Sequence, residues 1–236
     1  EMCKETDLVE QAITLGAEIE LATVTKVTDG AIKTVVTENG SYECRSVVIA
    51  SGSRHRHLGL EGEEALTGAG VSYCAVCDGA FFKGKTVAVA GGGDAALQDA
   101  IFLSDRCAHV YIVHRRDAFR GEAQLEKILR SRDNVEFVMN STIEALEGER
   151  KLSGIVIKNK ITGETSALAL DGLFIAVGQE PQNAPFSELI ALDAAGYADC
   201  GEDCTTGTPG IFVAGDCRKK AVRQLTTAVG DGAVAG

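Results

Sequence analysis

The sequence predicts an α/β protein in which a parallel βαβαβ unit interrupts a second domain. Residues 86–141 alternate apolar strands with helical stretches at the spacing of parallel units. Residues 17–52 consist of short β-rich runs separated by turn dipeptides. Two strands that end in small residues, VVIASG at 47–52 and IFVAGD at 211–216, lie on either side of the βαβαβ segment. We therefore expect one domain to be formed from both ends of the chain.

Composition and charge exclude several classes of protein. The 236 residues are 45% hydrophobic and 24% charged, which is typical of a globular chain and not of a disordered one. The net charge of −11 argues against nucleic-acid binding, which needs a surplus of lysine and arginine. The sequence contains no long apolar run and opens with no signal-peptide pattern, so we expect no membrane span and a cytoplasmic location. Because the chain starts at Glu1 instead of methionine, we expect it to be a fragment.

The first segment is predicted to be a helix followed by hairpins. Residues 5–16 carry an apolar stripe at helical spacing, and Gly16 ends it. The dipeptides Asp29-Gly30 and Asn39-Gly40 separate β-rich runs, which indicates antiparallel hairpins. A third run leads into the apolar strand that begins at Val47.

The central and final elements follow from the same patterns. We predict in order a strand at 86–90, a glycine loop and helix at 91–104, a strand at 109–116, a helix at 121–131, a strand at 135–141, a β-meander over 142–177, a strand at 211–216 and the opening of a helix after Lys219. The meander is assigned to the runs TIEALEG, GIVIKN and TSALALDGLFIAVG.

The glycine loop matches the dinucleotide-binding pattern G-x-G-x-x-A in the context that the pattern requires, after a strand and before a helix. Gly91 permits a tight turn, Gly93 lets the backbone approach a pyrophosphate, and Ala96 allows close packing of helix on strand. The helix N-terminus favours bound phosphate. We expect Asp94 to cap this helix. The candidate nucleotide-binding residues here are Gly91, Gly92, Gly93, Asp94, Ala95 and Ala96.

A basic cluster stands where an NAD-binding site usually has an acidic residue. His114, Arg115 and Arg116 end the second strand, and Arg115 lies 24 residues after Gly91. Arg120 follows one helical turn later. Guanidinium groups at this position suit the 2′-phosphate of NADP, whereas the alternative is a solvated basic face.

Eight cysteines are present, and one pair stands out. Cys74 and Cys77 form a Cys-x-x-Cys motif followed directly by Asp78, which in an α/β protein predicts a redox dithiol. The alternatives are a zinc site, with Cys200 and Cys204 as the second pair, or an inert core position. Most of the other cysteines, Cys3, Cys44, Cys107 and Cys217, are expected to be small core residues.

Together these motifs give the chain a family resemblance. CAVCD, GGGDAA, HRRDAFR, FVAGD and the following Arg223-Gln224 occur in the order found in bacterial, low-molecular-weight thioredoxin reductases. The resemblance implies two dinucleotide-binding domains, with a Rossmann-like NADPH domain inserted into an FAD domain. It divides this chain into 1–71 and 179–236 for FAD and 72–178 for NADPH and the dithiol. Electrons would pass from NADPH to FAD, to the dithiol and then to thioredoxin.

The resemblance also implies roles for individual residues. Cys77 would lie nearest the flavin, Cys74 would attack the thioredoxin disulfide, and Asp78 would donate the proton. FAD would be bound by Ala50, Ser51, Gly52, Gly215, Asp216, Arg223, Gln224 and Leu225. No metal is expected, and the resemblance implies a homodimer.

The chain departs from the family at its start. No Gly-x-Gly-x-x-Gly loop precedes residue 50, so we expect an incomplete FAD site, which puts the activity of this chain alone in doubt. The alternative enzymes are reductases of the same fold that use ferredoxin or serve a peroxidase component or a glutaredoxin-like protein. A non-catalytic nucleotide- or zinc-binding module is the alternative from another class.

Overall fold

The computed structural model describes residues 4–236, with side chains from Leu8 onward. The α-helices are α1 (Lys4–Thr14), α2 (Glu63–Leu66), α3 (Ala75–Asp78), α4 (Asp94–Ser104), α5 (Ala123–Arg130) and α6 (Leu225–Ala235). The strands are β1 (Val24–Thr28), β2 (Lys33–Thr37), β3 (Ser41–Cys44), β4 (Val47–Ile49), β5 (Ser53–His55), β6 (Val71–Ser72), β7 (Thr86–Gly91), β8 (His109–Val113), β9 (Val135–Val138), β10 (Ser141–Glu147), β11 (Gly154–Asn159), β12 (Thr165–Ala169), β13 (Gly172–Ala176), β14 (Gln179–Pro181) and β15 (Ile211–Val213). Short 3₁₀ helices cover Gly79–Phe82, Ala184–Phe186 and Gly215–Cys217.

The chain forms two compact units. One runs up to Ser53 and resumes at Pro181–Gly236, and the other is Arg54–Glu180. The predicted fold class, an α/β unit inserted into another, is therefore confirmed. The inserted unit begins at Arg54, ahead of the domain boundary after residue 71 that the sequence predicts. Which cofactor each predicted segment serves stays a prediction.

The inserted unit is built on a five-stranded parallel sheet of order β6-β13-β7-β8-β9. The side chains of strand β7 show what covers each face of this sheet. Val87 and Val89 pack in one core with α4 and α5, whereas Ala88 and Ala90 pack in a second core with β11 and β13. An apolar strand buried on both faces is typical of parallel sheets, so helices lie on one side and a second sheet on the other.

The predicted meander is correct for three strands and wrong for the last. Strands β10, β11 and β12 form an antiparallel sheet, with a bulge between Ile143 and Ala145. Strand β13 instead enters the parallel sheet, where Leu173 pairs with Ala88 of β7. Its first four residues are buried, which an edge strand of a two-faced meander would not allow.

The other unit confirms the hairpin prediction. Strands β1, β2 and β3 pair antiparallel in sequence order. Strands β4 and β15 pair parallel, with Ile49 opposite Val213. Both of these residues are buried in one core with Val27. Because parallel strands end at the same edge, the small-residue loops that follow β4 and β15 come together.

Candidate active site and nucleotide site

The Cys-x-x-Cys motif forms a disulfide at the start of a short helix. The Sγ atoms of Cys74 and Cys77 are bonded, and Cys74 is the N-cap residue of α3. The Cys77 N–H donates a hydrogen bond to Cys74 Sγ at 3.2 Å. Cys77 is exposed and Cys74 is half-buried, so the pair is accessible to a reaction partner. A helix N-terminus favours the thiolate form of a reduced cysteine.

Ser72 connects the disulfide to Asp78, a role that sequence reasoning missed because no motif includes this residue. The Ser72 hydroxyl donates to Asp78 Oδ2 at 2.7 Å and accepts the Cys74 N–H at 3.1 Å. Ser72 is buried at the end of the short strand β6. The Asp78 carboxyl group, which the family resemblance implies is the proton donor, is therefore held in a fixed orientation beside the redox loop.

A buried carboxylate supports the residue that precedes Cys74. Glu63 accepts the Tyr73 hydroxyl at 2.7 Å and the backbone N–H groups of residues 58–60 at 3.1, 2.8 and 3.2 Å. The Tyr73 hydroxyl also lies 2.8 Å from His57 Nδ1. Burial alone would raise the pKa of Glu63, but the hydrogen bonds from Tyr73 and the loop outweigh it and hold the pKa below its ordinary value. The ionised carboxylate therefore stabilises this loop.

This arrangement predicts a pH-dependent contribution to stability. Because the pKa of Glu63 is lower in the folded than in the unfolded state, its ionised form stabilises the fold above the unfolded pKa, about 4.3, and that contribution is lost as pH falls through the folded pKa. We expect Glu63→Gln to lower the free energy of unfolding at pH 7 by about 1 kcal/mol. Urea denaturation should show this loss shrinking as pH falls from about 5 to 3.

Glu64→Gln is the matched control, because Glu64 is the next residue and is exposed. Its effect on stability should be small and nearly independent of pH. A loss in Glu63→Gln that stays constant down to pH 3 would contradict the assigned role of the ionised carboxylate.

The glycine loop lies between β7 and α4 as the sequence predicts. A Cβ at Gly91 would lie 2.5 Å from the Ala176 carbonyl oxygen and 2.6 Å from the Ala96 Cβ, so Gly91 and Ala96 allow the helix to approach the sheet closely. Gly93 is the N-cap residue of α4, and no atom lies within 4 Å of the position of a Cβ there. The loop is therefore open on the side of Gly93, where a phosphate can approach the helix N-terminus.

The prediction that Asp94 caps α4 is wrong. The cap is Gly93, and Asp94 is the first helical residue, followed by the exposed Ala95. A residue inside the first turn cannot place its carboxylate on the N–H groups that an N-cap side chain serves. Asp94 Oδ1 instead accepts the Glu122 N–H at 2.7 Å.

The basic residues lie in the loop between β8 and α5. His114 is buried with its ring against Gly92, where a Cβ would lie 2.3 Å from the His114 Cε1. Burial lowers the pKa of His114, so the ring favours the neutral form. Arg115, Arg116 and Arg120 are exposed, and none of them forms an ion pair with a carboxylate among the described side chains, residues 8–236. Their charges are available to an anion.

In the other unit, the two small-residue loops meet at one edge. The Ala214 N–H donates to the Ile49 carbonyl at 2.9 Å, which brings Ala50, Ser51 and Gly52 beside Gly215 and Asp216. Asn183, which sequence reasoning missed, joins them. It is 1% exposed, its Oδ1 accepts the Ser51 hydroxyl at 3.1 Å, and its Nδ2 donates to the Cys217 carbonyl at 2.7 Å.

The residues near the start of α6 also approach this edge. Gln224 is the N-cap residue of α6 and Leu225 is the first helical residue, half of it exposed. The Arg223 guanidinium donates from Nε to the Asp216 carbonyl at 3.3 Å and lies 3.9 Å from the centre of the Tyr197 ring. Arg223 therefore contacts the loop that carries Asp216, and Gln224 and Leu225 follow it in the chain.

A buried ion-pair network fixes the loop after β15. Asp231 in α6 accepts the Gly215 N–H at 2.8 Å, two hydrogen bonds from Arg218 at 2.7 Å and one from Lys220 at 2.8 Å. Arg218 is 2% exposed and also pairs with Glu202 at 3.0 Å. The guanidinium of Arg218 holds the pKa of Asp231 far below its usual range. The sequence signal for this residue was only a single acid within an apolar helix.

The comparisons with known proteins settle the family. The model for "Pyridine nucleotide-disulphide oxidoreductase" matches residues 4–232. This chain belongs to the pyridine nucleotide-disulphide oxidoreductase family. A thioredoxin reductase of Listeria monocytogenes is 43% identical over 223 residues, which are 94% of this chain and 70% of that protein. The thioredoxin reductase of Bacillus subtilis is 40% identical and covers 97% of this chain and 73% of its own length.

Solved structures agree with this assignment. The crystal structure of thioredoxin reductase from Streptococcus pyogenes superimposes with a TM-score of 0.89 at 40% identity, over 98% of this chain and 76% of that one. Thioredoxin reductase from Giardia duodenalis gives a TM-score of 0.87 at 34% identity, over 96% and 76% of the two chains. As a pyridine nucleotide-disulphide oxidoreductase, the chain is an enzyme that uses FAD and NADPH to reduce a disulfide.

The residues present fit both cofactors of this oxidoreductase family. Asp216 Oδ1 is buried and has no hydrogen-bond partner among the described residues, so it can accept a hydroxyl of the FAD ribityl chain. His114 Nε2, at the end of β8, is likewise buried without a partner within 4–236. The unpaired arginines next to it suit the phosphates of NADPH.

The alternative of a zinc-binding module is not favoured by the family assignment. The described part of the chain contains no group of three or more His, Cys, Asp or Glu side chains that could hold a metal ion. Cys107 and Cys217 are buried as predicted, and Cys204 is buried too. Cys44, predicted to be a core residue, is only half-buried, as is Cys200, and Cys3 lies outside the described residues. Among the residues described, no helix of this oxidoreductase is long and apolar enough to cross a membrane.

The ion-pair network gives a prediction for stability in this oxidoreductase. Replacing Asp231 with alanine leaves Arg218 buried without its main partner, so we expect the free energy of unfolding to fall by about 3 kcal/mol in urea denaturation. Glu202→Gln removes the other partner of Arg218, but Glu202 is 89% exposed, so we expect little loss. Equal losses in the two variants would contradict the importance of burial here.

Proposed function

We propose that the chain is part of an NADPH-dependent thioredoxin-disulfide reductase. The observation that carries this proposal is the accessible Cys74–Cys77 disulfide, in the same unit as an open glycine loop and three unpaired arginines. The names of relatives at 40–43% identity support thioredoxin as the substrate. We extend the proposal to a cytoplasmic location and a homodimer.

The residues near the disulfide provide the thiol chemistry. FAD, when bound, would supply the electron pair, taken as hydride from NADPH, that reduces the Cys74–Cys77 bond. The Cys74 thiolate then attacks one sulfur of the thioredoxin disulfide, and the other sulfur leaves as a thiolate. The Cys77 thiolate attacks Cys74 in the resulting mixed disulfide, which releases reduced thioredoxin and restores the Cys74–Cys77 bond. Asp78, oriented by Ser72, donates the proton that the leaving thiolate needs.

The proposed nucleotide site lies at the ends of β7 and β8. Gly91, Gly92 and Gly93 provide the close backbone approach for the pyrophosphate, and the N-terminus of α4 favours its charge. Arg115, Arg116 and Arg120 are assigned to the 2′-phosphate. In the other unit, Ser51, Asp216 and Arg223 are assigned to FAD, with Asp216 on the ribityl chain.

The test uses the full-length protein mixed with FAD, NADPH, thioredoxin and a thiol reporter. The proposal expects NADPH oxidation that depends on thioredoxin and yields two thiols for each NADPH. If NADPH is oxidised only when a peroxidase component or a glutaredoxin-like protein replaces thioredoxin, the substrate assignment is wrong. If ferredoxin and not NADPH supplies the electrons, the nucleotide assignment is wrong.

A further inference from the structure

The loop that carries the three unpaired arginines is anchored at one end by consecutive backbone donors. The Arg120 and Gly121 N–H groups donate to the Gly92 carbonyl at 2.8 and 3.2 Å, and the Glu122 N–H donates to Asp94 Oδ1 at 2.7 Å. Asp94 therefore supplies the one side-chain acceptor in this set of three. The other two hydrogen bonds are accepted by the backbone carbonyl of Gly92, which no substitution removes.

The contact between Asp94 and the loop is close-packed. A Cβ at Gly121 would lie 3.1 Å from both the backbone N and Oδ1 of Asp94, and 2.6 Å from the Leu97 Cδ1. Gly121 thus lets the loop lie directly against the first turn of α4. The position of Arg120, one residue before this contact, depends on it.

The opposite end of the loop is held from the start of β10 and the residue before it. The Asn140 N–H donates to the Arg116 carbonyl at 3.0 Å, and the Ser141 N–H donates to the His114 carbonyl at 2.9 Å. Arg116 is therefore fixed without Asp94, whereas Arg120 relies on the anchor at the glycine loop. The two anchors therefore hold the backbone at both ends of the segment that carries the three arginines.

We propose that Asp94 is a positioning residue that sets the selectivity for NADPH over NADH, by holding the Arg120 end of the basic loop against the glycine loop. The inference rests on the proposed nucleotide site. Asp94 acts through its acceptor oxygen and not through its charge, because a negative charge beside the phosphates opposes their binding. An asparagine, which keeps an Oδ1 acceptor and loses the charge, therefore replaces it without loss.

The test compares two small ligands that differ in the 2′-phosphate. Calorimetric titration of the full-length protein with 2′,5′-ADP and with 5′-AMP reports on this contact without any turnover. We expect Asp94→Ala to weaken the binding of 2′,5′-ADP about tenfold, the effect of losing one positioning hydrogen bond, and to leave the affinity for 5′-AMP within about twofold of the wild type. Asp94→Asn should bind 2′,5′-ADP at least as tightly as the wild type.

A second readout separates positioning from general destabilisation. Hydrogen exchange should become faster at residues 120–122 in Asp94→Ala, while the strands β7 and β8 stay protected. Asp105→Ala is the matched control, because Asp105 follows the other end of α4 and pairs with Arg132, so neither ligand should be affected.

Three outcomes would overturn the inference. Unchanged 2′,5′-ADP binding in Asp94→Ala, equal losses for the two ligands, or an asparagine variant as weak as the alanine variant each contradict positioning through the acceptor oxygen. A wild-type protein that fails to bind 2′,5′-ADP contradicts the proposed nucleotide site itself and the inference with it.

Discussion

Cys74→Ser in the full-length protein should abolish the reduction of thioredoxin and leave the reduction of bound FAD by NADPH intact. Serine cannot form the disulfide, and its hydroxyl does not attack a disulfide sulfur at neutral pH. We expect the thioredoxin-dependent rate to fall by at least about 1,000-fold, as for the loss of an enzyme nucleophile. The loss of flavin absorbance on adding NADPH should be unchanged, because Cys74 takes no part in hydride transfer.

Cys77→Ser tests the order of the two sulfurs. Cys74 can still attack thioredoxin, but no second thiolate is present to release it, so a covalent complex should accumulate once the protein and oxidised thioredoxin are mixed. This complex should disappear on adding a small thiol. If Cys74→Ser traps the complex and Cys77→Ser does not, the two roles are exchanged.

Cys44→Ser is the control for both substitutions. Cys44 is a free, half-buried cysteine at the end of β3, away from the redox loop in the sequence and in the other compact unit. Its replacement should leave the thioredoxin-dependent rate unchanged. If Cys74→Ser reduced thioredoxin at the same rate as Cys44→Ser, the proposed role of the dithiol would be wrong.

The sequence predicted those parts of the molecule whose chemistry is local. The turn dipeptides at Asp29-Gly30 and Asn39-Gly40 determine hairpins without help from distant residues, and these hairpins are observed. The glycine loop likewise requires only its own residues and the strand and helix beside it. These features were recognisable because each depends on a few neighbouring residues.

Features that depend on distant contacts were missed or misplaced. The run 172–176 follows two antiparallel strands, and only its burial against β7 decides that it joins the parallel sheet. Asp231 and Asn183 are single polar residues whose partners lie 11 to 132 residues away, so no local pattern marks them. Asp94 was placed correctly at the helix start, but its partner Glu122 is 28 residues away. Their roles become visible only when the partner is located in space.

The charge of the basic loop leads to the second large effect. Replacing both Arg115 and Arg116 by glutamine should weaken the binding of NADPH on the order of 100-fold. The affinity for NADH should change by no more than about twofold. Both side chains are exposed, and neither is paired with a carboxylate among the described residues. Their replacement therefore leaves no acidic side chain without its partner. The expected effect is therefore confined to the ligand. Titration of each nucleotide against the full-length variant measures it directly.

Arg130→Gln is the matched control, because Arg130 is an exposed arginine of the same unit already paired with Glu126 at 2.6 Å. This substitution removes one positive charge outside the basic loop. It therefore measures how far the general charge of the surface affects nucleotide affinity, apart from any direct contact with the phosphate. The general effect is screened by salt, which also reduces a contact between exposed charges. Raising the ionic strength should therefore weaken NADPH binding more in the wild type than in the double variant. Since NADPH and NADH differ only in the 2′-phosphate, equal losses for both would show that the two arginines bind a part of the nucleotide common to both.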